Sequence, residues 1–312
     1  MEQKIQQTTN IGVVIGLLKS KEIKINTKDG KTYATGNIVV QVTNEYGISD
    51  LRIDVMQYEL YNNGKENKAY KSLLTINDSY KTIKDDGVEN ADLIQVYVKV
   101  QENAYYSTDR EEMVESIRLM ATTDFDRGFY TPISRVKDIN AKQVAKISFG
   151  GYISDIRKKE DGALDVDVIG VTYSGKAIKH RVQVEKELVA PFEGGYYVGC
   201  TTTLSYLMID AVEMVKENEE VGLGEGAGLT VERRTRKNLV VGASPANPNG
   251  ITQEQATHLL NMRKVEMDEK MDAAKKKQEE KTNVTFDVAF DMGIGGLGTP
   301  GLGFDGSSPY GM

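Results

Sequence analysis

The chain has 312 residues, 39% of them hydrophobic, which is enough for two or three domains with cores of their own. No apolar run reaches the ~18–20 residues of a membrane span, the opening MEQKIQQTTN leads into a short apolar stretch (Ile11–Leu18) with no small-residue cleavage site behind it, and the single Cys200 precludes an internal disulfide, so a cytoplasmic protein is expected. The net charge of −7 excludes little: residues 213–232 hold six acids and one base, residues 282–312 hold three acids and no base, and the near-neutral remainder has room for a basic groove.

In chain order, the first third reads as strands. Ile38, Val40 and Val42 alternate with Asn37, Val39 and Gln41, residues 51–60 alternate again, and Ile94, Val96, Val98 and Val100 put Gln95, Tyr97 and Lys99 on the opposite face. A period of two means half-buried antiparallel strands. Turn residues fall between them, at Asp29-Gly30, Glu45-Tyr46-Gly47 and Asn62-Asn63-Gly64. Residues 66–83 lack the alternation and read as a helix after the third strand. Three strands, a helix and two strands is the order of a five-stranded Greek-key barrel of the OB type.

From Lys142 the pattern restarts. AKISFGGYISDI carries a glycine pair that lets a long first strand turn a barrel corner. Leu164, Val166 and Val168 alternate with Asp165 and Asp167, Gly175 turns the chain, TTTLSYLMI reads as a fourth strand and VERRTRKNLVVG as a closing one. LRIDVMQYEL at 51–60 is echoed by HRVQVEKEL at 180–188, so the same third strand is expected in two similar barrels. Past Gly250, Thr252 and Gln255 form a capping box, and the helix it opens puts Leu260, Met267, Met271 and Ala274 on one side. The glycine-rich end cannot bury enough surface to fold alone. The expected fold is therefore mainly β: two OB-type barrels in tandem (1–135 and 136–250), an amphipathic C-terminal helix (251–281) and a disordered, weakly acidic Gly-rich tail (282–312).

Enzyme motifs are missing. Gly30-Lys31-Thr32 lacks the glycine a phosphate-binding loop needs five positions earlier, where Ile25 stands. The two histidines, His180 and His258, have no Cys/His neighbours for a metal. Asp165 and Asp167 read as a solvated face, and Cys200, among strand-like neighbours, as a buried small hydrophobe. No cofactor and no catalytic residue is expected.

Tyrosine carries the functional signal. There are 16, against 7 Phe and no Trp, and many stand beside basic residues on strand faces. Tyr33 follows Lys31, Tyr58 shares a face with Arg52, and Tyr97 with Lys99. Tyr105-Tyr106 lies where a hairpin turns, Tyr152 precedes Arg157 and Lys158, and Tyr173 precedes Lys179 and Arg181. The run Arg233, Arg234, Arg236, Lys237 extends the series. Bases stack on such rings whatever their identity, while Lys and Arg track phosphates. The bland alternative is that the tyrosines are amphipathic edge residues of any β-protein.

Residues 11–245 resemble the bacteriophage single-stranded DNA-binding proteins of the tandem-OB kind. DGKTYATGNIVVQV and LRIDVMQYEL carry the likeness in the first half, and ISFGGYISDI, KHRVQVEKELVAPF, YYVGCTTTLSYL and ERRTRKNLVVGASP in the second. The resemblance implies a non-enzymatic protein that coats and protects single-stranded DNA in replication or recombination, in a host bacterial cytoplasm, with its tail offered to replication or recombination proteins. The tail departs from that family, ending GFDGSSPYGM instead of in a compact acidic tip with a terminal Phe. The alternative is a virion or assembly protein whose barrels make protein contacts only.

Overall fold

The computed structural model describes residues 5–123, 131–138, 140–217, 229–247 and 249–291, with side chains omitted at 213–233 and 278–291. The chain divides into two compact units. The first comprises Met1–Ala104 with Glu115–Lys264.

Strands β1 (Asn10–Lys28), β2 (Lys31–Asn44) and β3 (Gly47–Tyr58) are followed by helices α1 (Lys68–Ser79) and α2 (Ile83–Asp86), then by β4 (Leu93–Ser107) and β5 (Glu112–Ala121). After the short β6 (Ile133–Arg135), the order repeats with β7 (Val144–Lys158), β8 (Leu164–Val171), β9 (Ala177–Val184), helix α3 (Lys186–Glu193), β10 (Thr201–Glu217) and β11 (Leu229–Ala243). Helix α4 (Gln253–Asp291) closes the described chain. In the first set β1 pairs with β2 and β4, β2 with β3, and β3 runs parallel to β5. In the second, β7 pairs with β8 and β10, β8 with β9, β10 with β11, and β9 runs parallel to β11. Each set is a closed five-stranded OB barrel, and the repeated sequence falls on the third strand of each, with Arg52 in β3 and Arg181 in β9.

The barrels share one eleven-stranded sheet. β1 pairs with β4 of its own barrel through Gly12–Leu17 and with β7 of the other through Asn10–Ile15. Such a double pairing needs a thin strand: a Cβ on Gly12 would stand 2.7 Å from Ile147 Cγ1 and 2.8 Å from the Lys146 carbonyl oxygen. The expected corner in β7 obeys the same constraint, since a Cβ on Gly151 would meet the Ile169 carbonyl oxygen at 2.3 Å. A second link joins β3 to β10 at Ser49 and Ala211, where Asp210 N donates to the buried Ser49 Oγ at 3.1 Å.

Alternation fills the interior. Leu51, Ile53 and Val55 of β3, Ile94, Val96 and Val98 of β4, and Val166 and Val168 of β8 are all buried in one cluster spanning both barrels. Each such side chain contributes about 1.5–3 kcal/mol on leaving water. The region expected to be one helix at 66–83 is two. Asn67 caps α1 by accepting from Ala69 N at 2.9 Å, and Ala69, Tyr70, Leu73 and Ile76 form its buried stripe. Lys21 Nζ donates to the Ile76 and Tyr80 carbonyls at 2.9 and 2.6 Å, a cation at the helix end where orphan carbonyls collect.

The capping box of α4 forms as its sequence implies: Gln255 N donates to Thr252 Oγ1 at 3.2 Å, and Thr252 N to Gln255 Oε1 at 3.0 Å. Of the expected face, Met267 is buried and Met271 and Ala274 are half-buried, but the helix start buries other residues. Ala256 and Leu259, with Ile251, pack on Tyr152, Ile169, Val171 and Ala177 of the second barrel, whereas Leu260 is exposed. Arg263 then reaches Glu102 of β4 and Glu115 of β5, the latter at 2.7 Å. The helix runs to Asp291 instead of ending at 281, because no glycine interrupts TNVTFDVAFD. Residues 292–312 of the expected tail lie outside the described residues.

The second unit comprises Tyr105–Val114 and Val265–Met312. Within it, Lys275 Nζ stands 5.9 Å from the centre of the Tyr106 ring, and Tyr105 is exposed. No helix among the described residues is long and apolar enough to cross a membrane.

Candidate functional site

Seven strands of the first unit, with Asn103 of β4 and Asp165 of β8 among their residues, line one groove of about 870 Å³. From the first barrel come Asp50, Arg52 and Asp54 of β3 and Ser116 and Arg118 of β5; from the second come Arg181 and Gln183 of β9, Asp210 of β10, and Arg234, Arg236, Lys237 and Asn238 of β11. Strand alternation explains the lining: as Leu51, Ile53, His180 and Val182 turn inward, their neighbours Arg52 and Arg181 must turn outward. With Lys159, the lining holds seven cations against four carboxylates, so a chain of net charge −7 presents a positive groove.

Three aspartates organise these cations. Asp167 of β8 is 2% exposed and receives Arg181 Nε at 2.7 Å, Arg157 Nη2 at 3.0 Å and Lys179 Nζ at 3.2 Å. Asp210 accepts from Arg234 Nε and Nη2 at 2.6 and 2.7 Å and from Arg236 Nε at 3.2 Å. Asp54 lies 3.3 Å from Arg118 Nη1 and 3.8 Å from Arg52 Nε. Burial alone would raise the Asp167 and Asp210 carboxyls, but the hydrogen bonds from Arg181 and Lys179, and from Arg234 and Arg236, hold both below the usual carboxylate value. The hydrogen bond to Asp167 in turn raises Arg181.

Behind this surface, His180 is buried between Phe149 and Tyr206, with ring centroids 5.1 and 5.0 Å away. Burial lowers its pKa to about 4, against a smaller opposing pull from Asp167. Its Nε2 and the Tyr206 hydroxyl have no hydrogen-bond partner among the described residues.

Of the residues singled out from sequence, Arg52, Arg181, Arg234, Arg236 and Lys237 meet in the groove, whereas Arg157 and Lys179 do not line it and share Asp167 with Arg181. Tyr33 and Tyr58 are cross-strand neighbours on β2 and β3, tilted at 54° with centroids 5.6 Å apart, and Tyr58 is 45% exposed. They sit along β3 from Arg52 and do not line the groove. Tyr97 and Lys99 are half-buried on β4, also outside it. Lys158 pairs with Glu193 at 3.2 Å, and Tyr173 is 86% exposed in the β8–β9 turn. Tyr105 and Tyr106 belong to the second unit, and the Arg233 side chain lies outside the described ones. Tyr152 is a correction. It is 7% exposed, covered by Ile251, Ala256 and Leu259, so its ring has no free face. Asp167 is another, since an acid read as solvated proves to be the most buried charge beside the groove.

Sequence reasoning missed Arg118, Asn238 and the aspartates. The aspartates had a signal: Asp167 lies directly across from Arg181, and Asp210 across from Arg236. No group of three metal-ligating side chains occurs among the described residues.

One protein-family model, described as YorF, matches residues 9–284. No curated protein matches the chain. Among solved structures, the wild-type single-stranded DNA-binding protein of Thermus aquaticus is similar at 12% identity and a TM-score of 0.45, covering 78% of this chain and 96% of its own. A deletion mutant of the same protein gives 13% and 0.44, covering 78% and 97%. At such distances the function of this chain has to be read from its own groove.

Proposed function

The chain belongs to the YorF family, and we propose that it binds single-stranded DNA in the groove shared by its two barrels, as a non-enzymatic protein that coats and protects the strand. The observation that carries this reading is the gathering of seven cations from both barrels into one open groove on a protein of net negative charge. A single strand laid there places phosphates against Arg52, Arg118, Arg181 and Arg236, each of which keeps part of its guanidinium in solvent. Two exposed rings outside the lining, Tyr58 on β3 and Tyr173 at the β8–β9 turn, offer faces on which unpaired bases stack. A duplex, with its bases already stacked, gains nothing from the rings. A role in replication or recombination of a bacteriophage genome, and the use of the tail to contact proteins of those processes, extend the same reading.

Fluorescence anisotropy with labelled oligo-dT and a duplex of equal length, titrated with salt, tests it. The strand should bind much more tightly than the duplex, over on the order of 4–16 nucleotides per barrel, and its affinity should fall steeply with salt as phosphate contacts release counterions. Equal binding of duplex and strand, or binding of neither, overturns the reading and favours barrels that make protein contacts only.

A further inference from the structure

The groove's cations are held in a way that ion pairing for stability alone does not explain. Arg181 meets Asp167 through Nε and Nη2, at 2.7 and 3.3 Å, and Arg234 meets Asp210 through the same two atoms. Arg236 reaches both Asp210 oxygens through Nε, at 3.2 Å each. Three guanidinium groups on two strands are thus gripped on the Nε side. The guanidinium is planar and rigid, so a grip on that edge fixes the direction of the opposite, Nη1 end. The depths are layered as well: the Asp167 and Asp210 side chains are 2% and 16% exposed, whereas those of Arg181, Arg234 and Arg236 are 52–66% exposed. Asp167 holds three cations, one of which, Arg157, is shared with Asp155 at 3.1 Å, and Asp210 holds two, while the lining as a whole keeps seven cations against four carboxylates. An ion pair that served only to tie strands together would be satisfied by one partner.

We infer that Asp167 and Asp210 are positioning residues: anions set beneath the groove that fix the arginines by their Nε edges and aim the far ends of Arg181 and Arg236 at phosphates, without cancelling the field. This rests on the single-strand reading for its ligand, but the fixing of the side chains can be observed without one. The arginines then meet a phosphate with less side-chain freedom left to lose.

The test uses the full chain and Asp210→Asn, which keeps the shape and removes the charge. Two measurements are made: oligo-dT affinity across a salt series, and the arginine Nε–Hε signals in a ¹⁵N NMR spectrum recorded without DNA. Losing the anion adds net positive charge while removing the carboxylate that holds Arg236 by its Nε. The salt dependence should therefore steepen, by about 0.7 in log–log slope, while binding at high salt, where orientation counts most, weakens on the order of tenfold. The Nε–Hε signal of Arg236 should broaden or vanish, and that of Arg181 should persist. Tighter binding at every salt concentration would make Asp210 a competitor of the phosphate and overturn the inference. So would unchanged Nε–Hε signals, or a loss parallel at all salt concentrations and matched by a lower melting temperature. If Asp210→Asn fails to fold, Asp210→Glu decides: it keeps the charge but shifts it by one methylene, so it should lose high-salt binding with no change in slope, and wild-type behaviour would refute positioning. If the wild-type chain binds no oligo-dT at all, the single-strand reading falls, and the Nε–Hε signals still decide whether the aspartates fix the arginines.

Discussion

Acid should weaken the second barrel through one residue, His180. In the folded chain burial lowers its pKa from 6.5 to about 4; in the unfolded chain the ordinary value returns. A group whose folded pKa lies below its unfolded one binds fewer protons when folded, so its contribution to stability is complete above pH 6.5 and is lost as pH falls towards 4. The full shift corresponds to about 3 kcal/mol at 1.36 kcal/mol per unit, and about 2 kcal/mol of it is lost between pH 7.5 and pH 5. The paired aspartates do not blur this window. Asp167 and Asp210 are lowered in the folded chain, so their stability is lost only below the ordinary carboxylate value. With no Trp to report unfolding, the assay is urea denaturation followed by circular dichroism at the two pH values, for the wild-type chain and for His180→Leu. The wild type should lose about 2 kcal/mol on acidification and the variant much less. Equal slopes for the two proteins, or no slope in the wild type, would refute the account of a histidine held neutral by burial.

Three other outcomes follow from the structure. Tyr58→Ala, which removes the exposed ring beside Tyr33, should weaken oligo-dT binding by about 1–3 kcal/mol with an unchanged salt slope in anisotropy titrations, as loss of a stacking face does. Arg263→Ala leaves Glu102, whose side chain is only 17% exposed, without its cation; a cost of about 2–3 kcal/mol should appear in thermal melts, with faster proteolysis of the start of α4. Deleting residues 282–312 removes three acids and no base, and should raise oligo-dT affinity modestly at low salt and leave it unchanged at high salt, as salt screens the long-range term.

Where local periodicity dictates structure, the sequence was readable. The period of two in residues 37–42 and 94–100 marked β2 and β4, the echo at Arg52 and Arg181 marked the third strand of each barrel, and Thr252-x-x-Gln255 marked the start of α4. Helix α3 escaped because Pro191 and the following Gly194-Gly195 break any helical period in a segment of eight residues. The end of α4 is hard to read because TNVTFDVAFD, a run without glycine, passes directly into glycine-rich sequence.

The groove itself was only half legible. Alternation told which side chains of β3 and β9 face outward, and so found Arg52 and Arg181. It could not tell that β3 and β10 meet at Ser49 and Ala211, and that meeting brings Asp210 and the β11 arginines to the first barrel. Such a contact depends on how two barrels dock, which no local pattern encodes. Tyr152 was misjudged for the same reason: its strand position suggested an open face, and the helix that covers it comes a hundred residues later in the sequence.

The central claim is that single-stranded DNA lies in the groove between the barrels, and charge reversal there tests it most directly. Arg181→Glu and Arg236→Glu reverse a cation contributed by β9 and one by β11, and Lys84→Glu, on exposed α2, reverses one outside the lining. All three change the net charge equally. In oligo-dT titrations over a salt series, each groove variant should lose tenfold or more in affinity and flatten the log–log slope by about 0.7 or more, while Lys84→Glu should match the wild-type chain. An equal loss in all three would mean that the strand responds to net charge alone, and wild-type affinity in both groove variants would place it elsewhere on the protein.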